Sequence, residues 1–273
     1  MPDALSFLGH ATMMFHMRGK HILTDPVLTD RVLHLRRRNF SAPQWVSQQP
    51  SPDLILLSHL HLDHLHLPSL RRLPPHAPMI APRGAGKWLR RVLCRPVIEL
   101  SPGDVYQLDD VTIHVIHAEH GGNLPIIGLA QGYLLKGEST VYFPGDTDVF
   151  PQMAELAKEN LDVALMPIWG WGPTLGAGHL DPRTAAEAVA LLKPRHVVPI
   201  HWGSFRPLGH IWELFTYLRT PGPKFLYHMK RFAPETQVHF LEPGGQFIIH
   251  PHEDLNLMEK PRQGSQPREA SHK

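Results

Sequence analysis

The stretch "DLILLSHLHLDHLH", at residues 53–66, constrains the fold more than any other part of the chain. Its apolar portion, residues 54–57, is the kind of short continuous run that forms a strand buried on both faces. The run ends at Ser58, and the residues that follow include His59, His61, Asp63 and His64. Imidazoles and carboxylates are ligands for zinc, iron and manganese. The stretch therefore predicts a metal site at the end of a buried strand; the alternative is a polar loop in a chain with 21 histidines.

The spacing within this stretch favours two metal ions rather than one. His59 and His61 alternate along an extended turn, so their side chains can reach the same ion. Asp63 and His64 are adjacent and point in other directions, which lets them hold a second ion. These four side chains do not complete two coordination shells, so other segments must supply further ligands.

Further ligand types stand just after three other predicted strands, and they are His120, Asp146 and His201. Active sites of α/β proteins are built at the carboxyl ends of strands, so these side chains can converge with the histidine-rich stretch. Two of the three have rivals nearby in the sequence, which are His114 and His117 for the first and Asp148 for the second. These alternatives stay open at the level of sequence.

Short apolar runs separated by scattered prolines and glycines predict many strands and helices joined by tight turns. Strands are predicted at residues 4–8, 12–17, 21–24, 53–58, 78–82, 96–100, 111–117, 132–136, 140–144, 162–168, 196–200, 237–243 and 245–250. Helices are predicted at residues 66–73, 84–93, 150–160, 181–192 and 207–219, and Asp181 is expected to cap the fourth. This order favours an α/β fold in which sheets in the middle are covered by helices outside.

A wider set of motifs resembles one protein family. The ordered ligand pattern resembles the metallo-β-lactamase superfamily, and its members in this chain are His59, His61, Asp63, His64, His120, Asp146 and His201. The segments "LGHATMMF", "ILTDPVL", "FPGDTD", "HLDPRTAAEA" and "PIHWGSF" resemble the branch that contains N-acyl-phosphatidylethanolamine-hydrolysing phospholipase D and the ascorbate-phosphate lactonase. The resemblance, which covers about residues 5–250, implies a four-layer αββα sandwich of the α/β class with two divalent metal ions. Zinc is the expected metal, with manganese and iron as alternatives.

The resemblance also implies a role for each ligand. A first ion is expected on His59, His61 and His120, a second on Asp63, His64 and His201, with Asp146 bridging both. The expected nucleophile is a hydroxide shared by the two ions, and the expected substrate is a phosphodiester, which could be phospholipid-like. The alternatives are a lactonase or other acyl hydrolase, and a metal-binding protein without catalytic activity.

Several residues are candidates for other roles in the active site. The candidate catalytic residues are Asp63, His179 and His10. Either histidine could bind a phosphate or protonate a leaving group. Asp25 is expected behind the ligands, where it would orient an imidazole. Trp169 and Trp171 are expected to line the substrate pocket. Outside the ligand set, each of these residues also has a structural alternative, as part of a turn, a helix cap or a packed loop.

Composition and charge limit the classes of molecule that the protein is expected to bind. Lys and Arg number 27 against 25 Asp and Glu, so the net charge of +2 argues against nucleic acid and leaves a small molecule or a lipid as substrate. No run approaches the roughly 18 uncharged apolar residues of a membrane-spanning helix, so no transmembrane segment is expected and any membrane contact would be peripheral. The start "MPDALSFLGH" lacks the features of a signal peptide, which predicts a cytoplasmic protein.

Three further expectations concern segments away from the ligand pattern. The basic segment "RVLHLRRR", at residues 31–38, is expected near the site, either attracting a phosphate or an anionic lipid surface or simply solvated. Cys94 follows an apolar helical pattern and is expected in the core. Residues 1–252 are expected to form a single metallo-hydrolase domain, and residues 253–273 a flexible tail.

Overall fold

The computed structural model describes residues 2–38, 40–120, 130–209 and 216–250, apart from the side chains of residues 45 and 46. The predicted tail at 253–273 and the middle of the predicted helix at 207–219 lie outside these ranges. Within them, no helix has both the length and the apolar character that crossing a membrane requires.

Strands and helices are short, and runs of consecutive strands are separated by stretches in which strands and helices alternate. In chain order the strands are β1 (Ala4–Gly9), β2 (Thr12–Met17), β3 (Lys20–Thr24), β4 (Arg31–Val32), β5 (Leu35–Arg37), β6 (Leu54–Leu56), β7 (Met79–Pro82), β8 (Val97–Leu100), β9 (Val105–Leu108), β10 (Val111–His117), β11 (Gln131–Lys136), β12 (Thr140–Phe143), β13 (Val163–Pro167), β14 (His196–Ile200), β15 (Phe205–Pro207), β16 (Gln237–Val238) and β17 (Gln246–Ile248). The α-helices are α1 (Ala42–Val46), α2 (Leu67–Leu70), α3 (Gly86–Leu93), α4 (Met153–Leu156), α5 (Pro182–Leu192) and α6 (Pro221–Phe232).

Two seven-stranded sheets form the centre of the fold. The spatial order of the first sheet is β17, β1, β2, β3, β6, β7, β8, and that of the second is β16, β14, β13, β12, β11, β10, β9. Each sheet has an antiparallel part and a parallel part, and the parallel part runs from β3 to β8 in the first sheet and from β12 to β16 in the second. Neighbouring parallel strands end at the same edge of a sheet, so the loops that follow them lie side by side.

Apolar side chains fill the three spaces between four layers. The space between the sheets contains Phe15 from the first sheet and Tyr133 from the second. Leu89 of α3 packs on the outer face of the first sheet, and Val189 of α5 packs on the outer face of the second. The predicted four-layer αββα sandwich is therefore confirmed.

Every predicted strand has a counterpart, and the predicted cap of α5 is present, because the Asp181 carboxylate accepts from the backbone amides of residues 183 and 184. Helix α6 was not predicted, since Pro221 and Pro223 suggest a loop. Both prolines lie in the first turn of α6, where proline costs no intrahelical hydrogen bond. Other elements missed from the sequence are α1, β4, β5, β9 and β15.

The basic segment at 31–38 is a β-hairpin, and with β15 it forms a small third sheet. Arg37 on this hairpin is buried, and it donates hydrogen bonds to the backbone carbonyls of Leu8, Val27 and Thr29. Burial lowers the pKa of its guanidinium to about 10. Arg37 is therefore neither solvated nor free to attract an anion. Its side chain joins the hairpin to the first sheet.

Helix α3 ends one residue before Cys94. Cys94 adopts a left-handed conformation with φ 51°, and its thiol is exposed. The prediction that it belongs to the core was therefore wrong, because the apolar pattern of the helix does not extend past its last turn.

Replacing Arg37 with methionine should lower the free energy of unfolding by about 3 kcal/mol, since three carbonyls lose their donor while the apolar stem is kept. Arg36→Met, at the exposed neighbouring position, is the matched control and should change stability by about 0.5 kcal/mol or less. Urea denaturation of both variants measures the difference. Equal losses would contradict the anchoring role of Arg37.

Candidate metal centre

The predicted ligands come together where strands of both sheets end. The stretch after β6 in the first sheet supplies His59, His61, Asp63 and His64. The second sheet supplies His120 after β10, Asp146 after β12 and His201 after β14. Two of the alternative candidates make other contacts. The ring of His117 is hydrogen-bonded to the Glu119 carboxylate at the surface, and the Asp148 carboxylate accepts from the backbone amide of Val149.

A first group of side chains consists of His59, His61, His120 and Asp146, whose ligand atoms all lie within 4.8 Å of one another. Nδ1 of His61 lies 3.1 Å from Nε2 of His120. Nε2 of His59 lies 3.8 Å from Oδ2 of Asp146. Three imidazole nitrogens and a carboxylate oxygen at this spacing could hold a metal ion.

A second group consists of His10, Asp63, His64 and His201, again with ligand atoms within 4.8 Å of one another. The Nε2 atoms of His64 and His201 are 3.0 Å apart. Oδ2 of Asp63 lies 3.9 Å from the first of these nitrogens and 3.8 Å from the second. This group could therefore hold a second metal ion.

Asp146 lies between the two groups and contacts both. Its Oδ2 is 3.3 Å from Nε2 of His64, and its Oδ1 is 3.1 Å from Nε2 of His201. Together with the 3.8 Å separation from His59, these distances give one buried carboxylate access to both candidate metal positions.

The outer nitrogen of several imidazoles is held by a hydrogen-bond acceptor, so the inner nitrogen faces the centre. The three outer contacts are His120 Nδ1 with the Gly178 carbonyl at 2.8 Å, His201 Nδ1 with the Trp169 carbonyl at 2.7 Å, and His64 Nδ1 with Asp25 Oδ2 at 2.7 Å. Such contacts fix the ring orientation and the tautomer in metal sites.

Asp25 orients one imidazole of each group. Its carboxylate accepts from the amide of Ser58 at 2.7 Å and from the Ser58 hydroxyl at 2.6 Å, in addition to His64. The same hydroxyl oxygen lies 2.9 Å from Nδ1 of His59. The expected place of Asp25 behind the ligands matches this geometry. Ser58 was missed from the sequence, because only its position between a strand and His59 could have drawn attention to it.

Two inward-facing atoms of the centre show that the site suits a cation. Among the described residues, the buried Nε2 of His59 has no hydrogen-bond partner, and Oδ1 of Asp146 lies near Nε2 of His201 without the alignment of a hydrogen bond. Buried polar atoms are normally satisfied, so both point to a missing binding partner. A divalent metal that accepts nitrogen and oxygen donors fits this donor set.

The buried carboxylates set the electrostatics. Burial opposes the charged form of the His64 imidazole, yet the nearby carboxylates of Asp146, Asp25 and Asp63 raise its pKa well above the usual value. For Asp146 the opposite holds: burial opposes ionisation, but the charge of the His64 imidazole and the hydrogen bonds from His179 and His64 keep its pKa well below the usual value. Burial lowers the pKa of His201 to about 3. Nearby imidazoles also lower the pKa of Asp63 against the effect of burial, so the carboxylates of Asp63 and Asp146 are both ionised and the site attracts positive charge.

A cleft of about 480 Å³ opens onto this centre. Its floor is formed by His61, Asp63, Asp146, His179 and His201. Its walls come from the 31–38 hairpin, from Leu62 and from the loop at 170–176, and the described lining contains no Lys or Arg. Leu33 and Leu62 are 71% and 54% exposed at the cleft, so apolar surface faces solvent next to the ionised floor.

The remaining candidates divide between the cleft and the wall behind it. Trp171 lines the cleft, but Trp169 lines a separate cavity and uses its carbonyl to hold His201. His179 lines the cleft, with Nε2 3.3 Å from Oδ2 of Asp146. His10 is only 1% exposed and is not among the residues that line the cleft, so it lies in the wall behind the site. His34, which was not singled out, also lines the cleft and meets Trp171 edge to face.

The family of the chain follows from comparison with known proteins. The family model described as the β-lactamase superfamily domain matches residues 20–202. The chain therefore belongs to this family, and the resemblance drawn from its motifs is confirmed.

Individual relatives support the same conclusion. A UPF0173 metal-dependent hydrolase of Koribacter versatilis is 29% identical over 255 residues, which cover 88% of this chain and 95% of that protein. The N-acyl-phosphatidylethanolamine-hydrolyzing phospholipase D 1 of Caenorhabditis elegans is 29% identical over 230 residues, 75% of this chain but only 64% of that longer protein. Among solved structures, the metallo hydrolase Igni18 of Ignicoccus hospitalis shares the fold, with a TM-score of 0.70 and 22% identity over 92% of this chain and 99% of that one.

Asp25→Asn should weaken binding of a divalent metal, measured with zinc as the probe, about 10–100-fold, because the amide keeps the left-handed backbone but loses the charge that holds the His64 ring. Asp109→Asn is the matched control, since Asp109 is also left-handed but lies at the surface, and it should bind zinc as the wild type does. Competition against a chromophoric chelator measures both affinities. Equal affinity in wild type and Asp25→Asn would contradict the role of Asp25.

Proposed function

We propose that residues 1–252 form a metallo-hydrolase domain that binds two divalent metal ions, with zinc as the leading choice. The observation that carries the proposal is a pair of four-donor groups that meet at Asp146 on the floor of an open cleft. The proposed ligands are His59, His61 and His120 for one ion, Asp63, His64 and His201 for the other, and Asp146 for both. The names of the relatives as metal-dependent hydrolases support it.

The residues of the chain supply what the chemistry needs besides the ions. Two bound divalent ions would activate a water molecule at neutral pH and withdraw charge from the substrate oxygen. The ionised carboxylates of Asp63 and Asp146 keep both positions attractive to cations. Leu62 lies between the two ligand pairs of the histidine-rich stretch and keeps apolar surface next to the reacting centre.

His179 is the proposed general acid. Burial opposes its charged form, but the hydrogen bond to Asp146 and the charge of that carboxylate raise the pKa of the imidazole. The carbonyl of Ala177 accepts from Nδ1 at 3.1 Å, which leaves Nε2 facing the floor of the cleft. A proton held there is close to the position at which a leaving group departs.

The proposed substrate is a phosphodiester with an apolar substituent. The apolar side chains of Leu33, Leu62 and Trp171 can contact such a substituent while the phosphate faces the floor. A phosphate monoester, with its second negative charge, would find no fixed Lys or Arg among the described lining residues. The relative named as a phospholipase D supports this choice of reaction.

A lactone or another acyl ester is the second candidate substrate. The same lining, in which the described residues include no Lys or Arg, is suited to an uncharged ester, and an activated water can attack a carbonyl carbon as well as phosphorus. The two candidates differ in the charge of the substrate, so direct assay separates them.

The decisive assay compares substrates on protein reconstituted with zinc, manganese or iron. We expect hydrolysis of bis-p-nitrophenyl phosphate, faster hydrolysis of an alkyl p-nitrophenyl phosphate that has the same leaving group, loss of both with a chelator, and recovery on adding metal. Hydrolysis of simple lactones without any diester hydrolysis would contradict the phosphodiester substrate and support the lactone or acyl ester instead. A metal-loaded protein that hydrolyses neither class would contradict a hydrolase function.

His179→Gln should lower kcat about 10²–10⁴-fold for a diester with a poor alkoxide leaving group, because that group needs a proton. The same variant should change kcat much less for bis-p-nitrophenyl phosphate, whose nitrophenolate leaves without protonation. Metal content is measured in parallel to exclude loss of the ions. Equal losses on both substrates would contradict the general-acid role.

A further inference from the structure

His10 occupies a tight turn between β1 and β2, at the edge where the ligands meet. Its backbone is left-handed, with φ 60°, and the preceding Gly9 is also at positive φ. A side chain at Gly9 would come within 2.6 Å of the Arg37 guanidinium, so the turn is fitted closely to its surroundings. The amide of His10 donates to the hydroxyl of Ser204 at 2.7 Å. These contacts hold the imidazole inside the wall of the site, where only 1% of the residue is exposed.

The ring of His10 is bonded to the carboxylate of the second group. Its Nε2 lies 2.9 Å from Oδ2 of Asp63, and an ionised carboxylate can only accept, so the imidazole is the donor. The same oxygen faces the Nε2 atoms of His64 and His201, at 3.9 and 3.8 Å. The oxygen that His10 holds is therefore the one aimed at the candidate metal position.

His10 also contacts His201, which comes from the other sheet. The amide of His201 donates to the carbonyl of His10 at 2.9 Å. The two rings lie with centroids 3.8 Å apart and an angle of 30° between their planes. One residue of the first sheet thus orients two proposed ligands of the same metal ion, one by its side chain and one by its backbone and ring.

We propose that His10 is a positioning residue that controls occupancy of the second metal position and not of the first. The inference rests on the proposed function, because it assumes that both groups bind metal. His10 reaches Asp63 and His201 but forms no hydrogen bond to His59, His61 or His120. Its Nε2 is committed to a carboxylate oxygen, so the imidazole acts on the ion through Asp63 rather than as a ligand.

Cobalt titration of three variants tests this assignment. His10→Phe keeps a ring against His201 but removes the donor to Asp63. His10→Asn suits the left-handed backbone, yet its amide is too short to reach that carboxylate. His10→Gln can place an amide donor near the original Nε2. His16→Phe is the control, since His16 lies on β2 with its ring against His21 and away from the ligands.

Wild type, His10→Gln and His16→Phe should bind two cobalt ions per chain, each with its visible absorption band. His10→Phe and His10→Asn should bind the first ion with unchanged affinity and the second about 10–100-fold more weakly. A general loss of stability would weaken both ions together, so selective loss identifies positioning. Either donor-free variant is sufficient if the other does not fold.

Two results would overturn the proposal. One is wild-type affinity for both ions in the donor-free variants, and the other is loss of the second ion in His10→Gln as complete as in His10→Phe. Failure of the wild type itself to bind any cobalt would overturn the proposed function together with this inference. These outcomes are distinguishable, because the first two leave wild-type metal binding intact.

Discussion

The buried carboxylate of Asp146 is the interaction on which the rest of the site depends. It is 2% exposed and lies among imidazoles contributed by both sheets, in contact with His59, His64, His179 and His201. A buried charge is costly unless positive charge accompanies it. In the proposed metal-bound protein that charge comes from two cations, and their ligands draw the loops of the two sheets together. The fold brings the ends of strands from both sheets to one edge, and the charge of Asp146 makes that edge suitable for binding cations.

Around this carboxylate, the backbone is held in conformations that are unfavourable for ordinary residues. Asp25, His10 and His201 all have positive φ, at 36°, 60° and 62°. Such residues persist only where surrounding contacts determine them, and they concentrate at functional sites. Here the contacts are the hydrogen bonds from Ser58 to Asp25, from the His201 amide to the His10 carbonyl, and from the His10 amide to the Ser204 hydroxyl. Outer residues therefore fix the ligands in advance, which lowers the cost of ordering them when a metal binds.

The sequence predicted the layers and the convergence of the ligands, because both depend on local patterns: apolar runs give strands, and polar residues after them give an active edge. The sequence did not predict features that depend on the tertiary contacts of a residue. Of the arginines in "RVLHLRRR", Arg37 turned inward because backbone carbonyls of another sheet lie beside it. Cys94 is exposed because its helix ends one residue earlier. Helix α6 was missed because prolines in a first turn resemble helix-breaking prolines in sequence. His10 was proposed to contact the substrate because its motif indicates a position near the site, whereas its burial cannot be read from the motif.

Anomalous diffraction from crystals grown with zinc would show whether this centre binds two metal ions. We expect two zinc peaks at the floor of the cleft, one bounded by His59, His61 and His120 and the other by Asp63, His64 and His201, with Asp146 between them. Absence of zinc at this centre, or a single ion bound at one group with the other group still closed by hydrogen bonds, would contradict it.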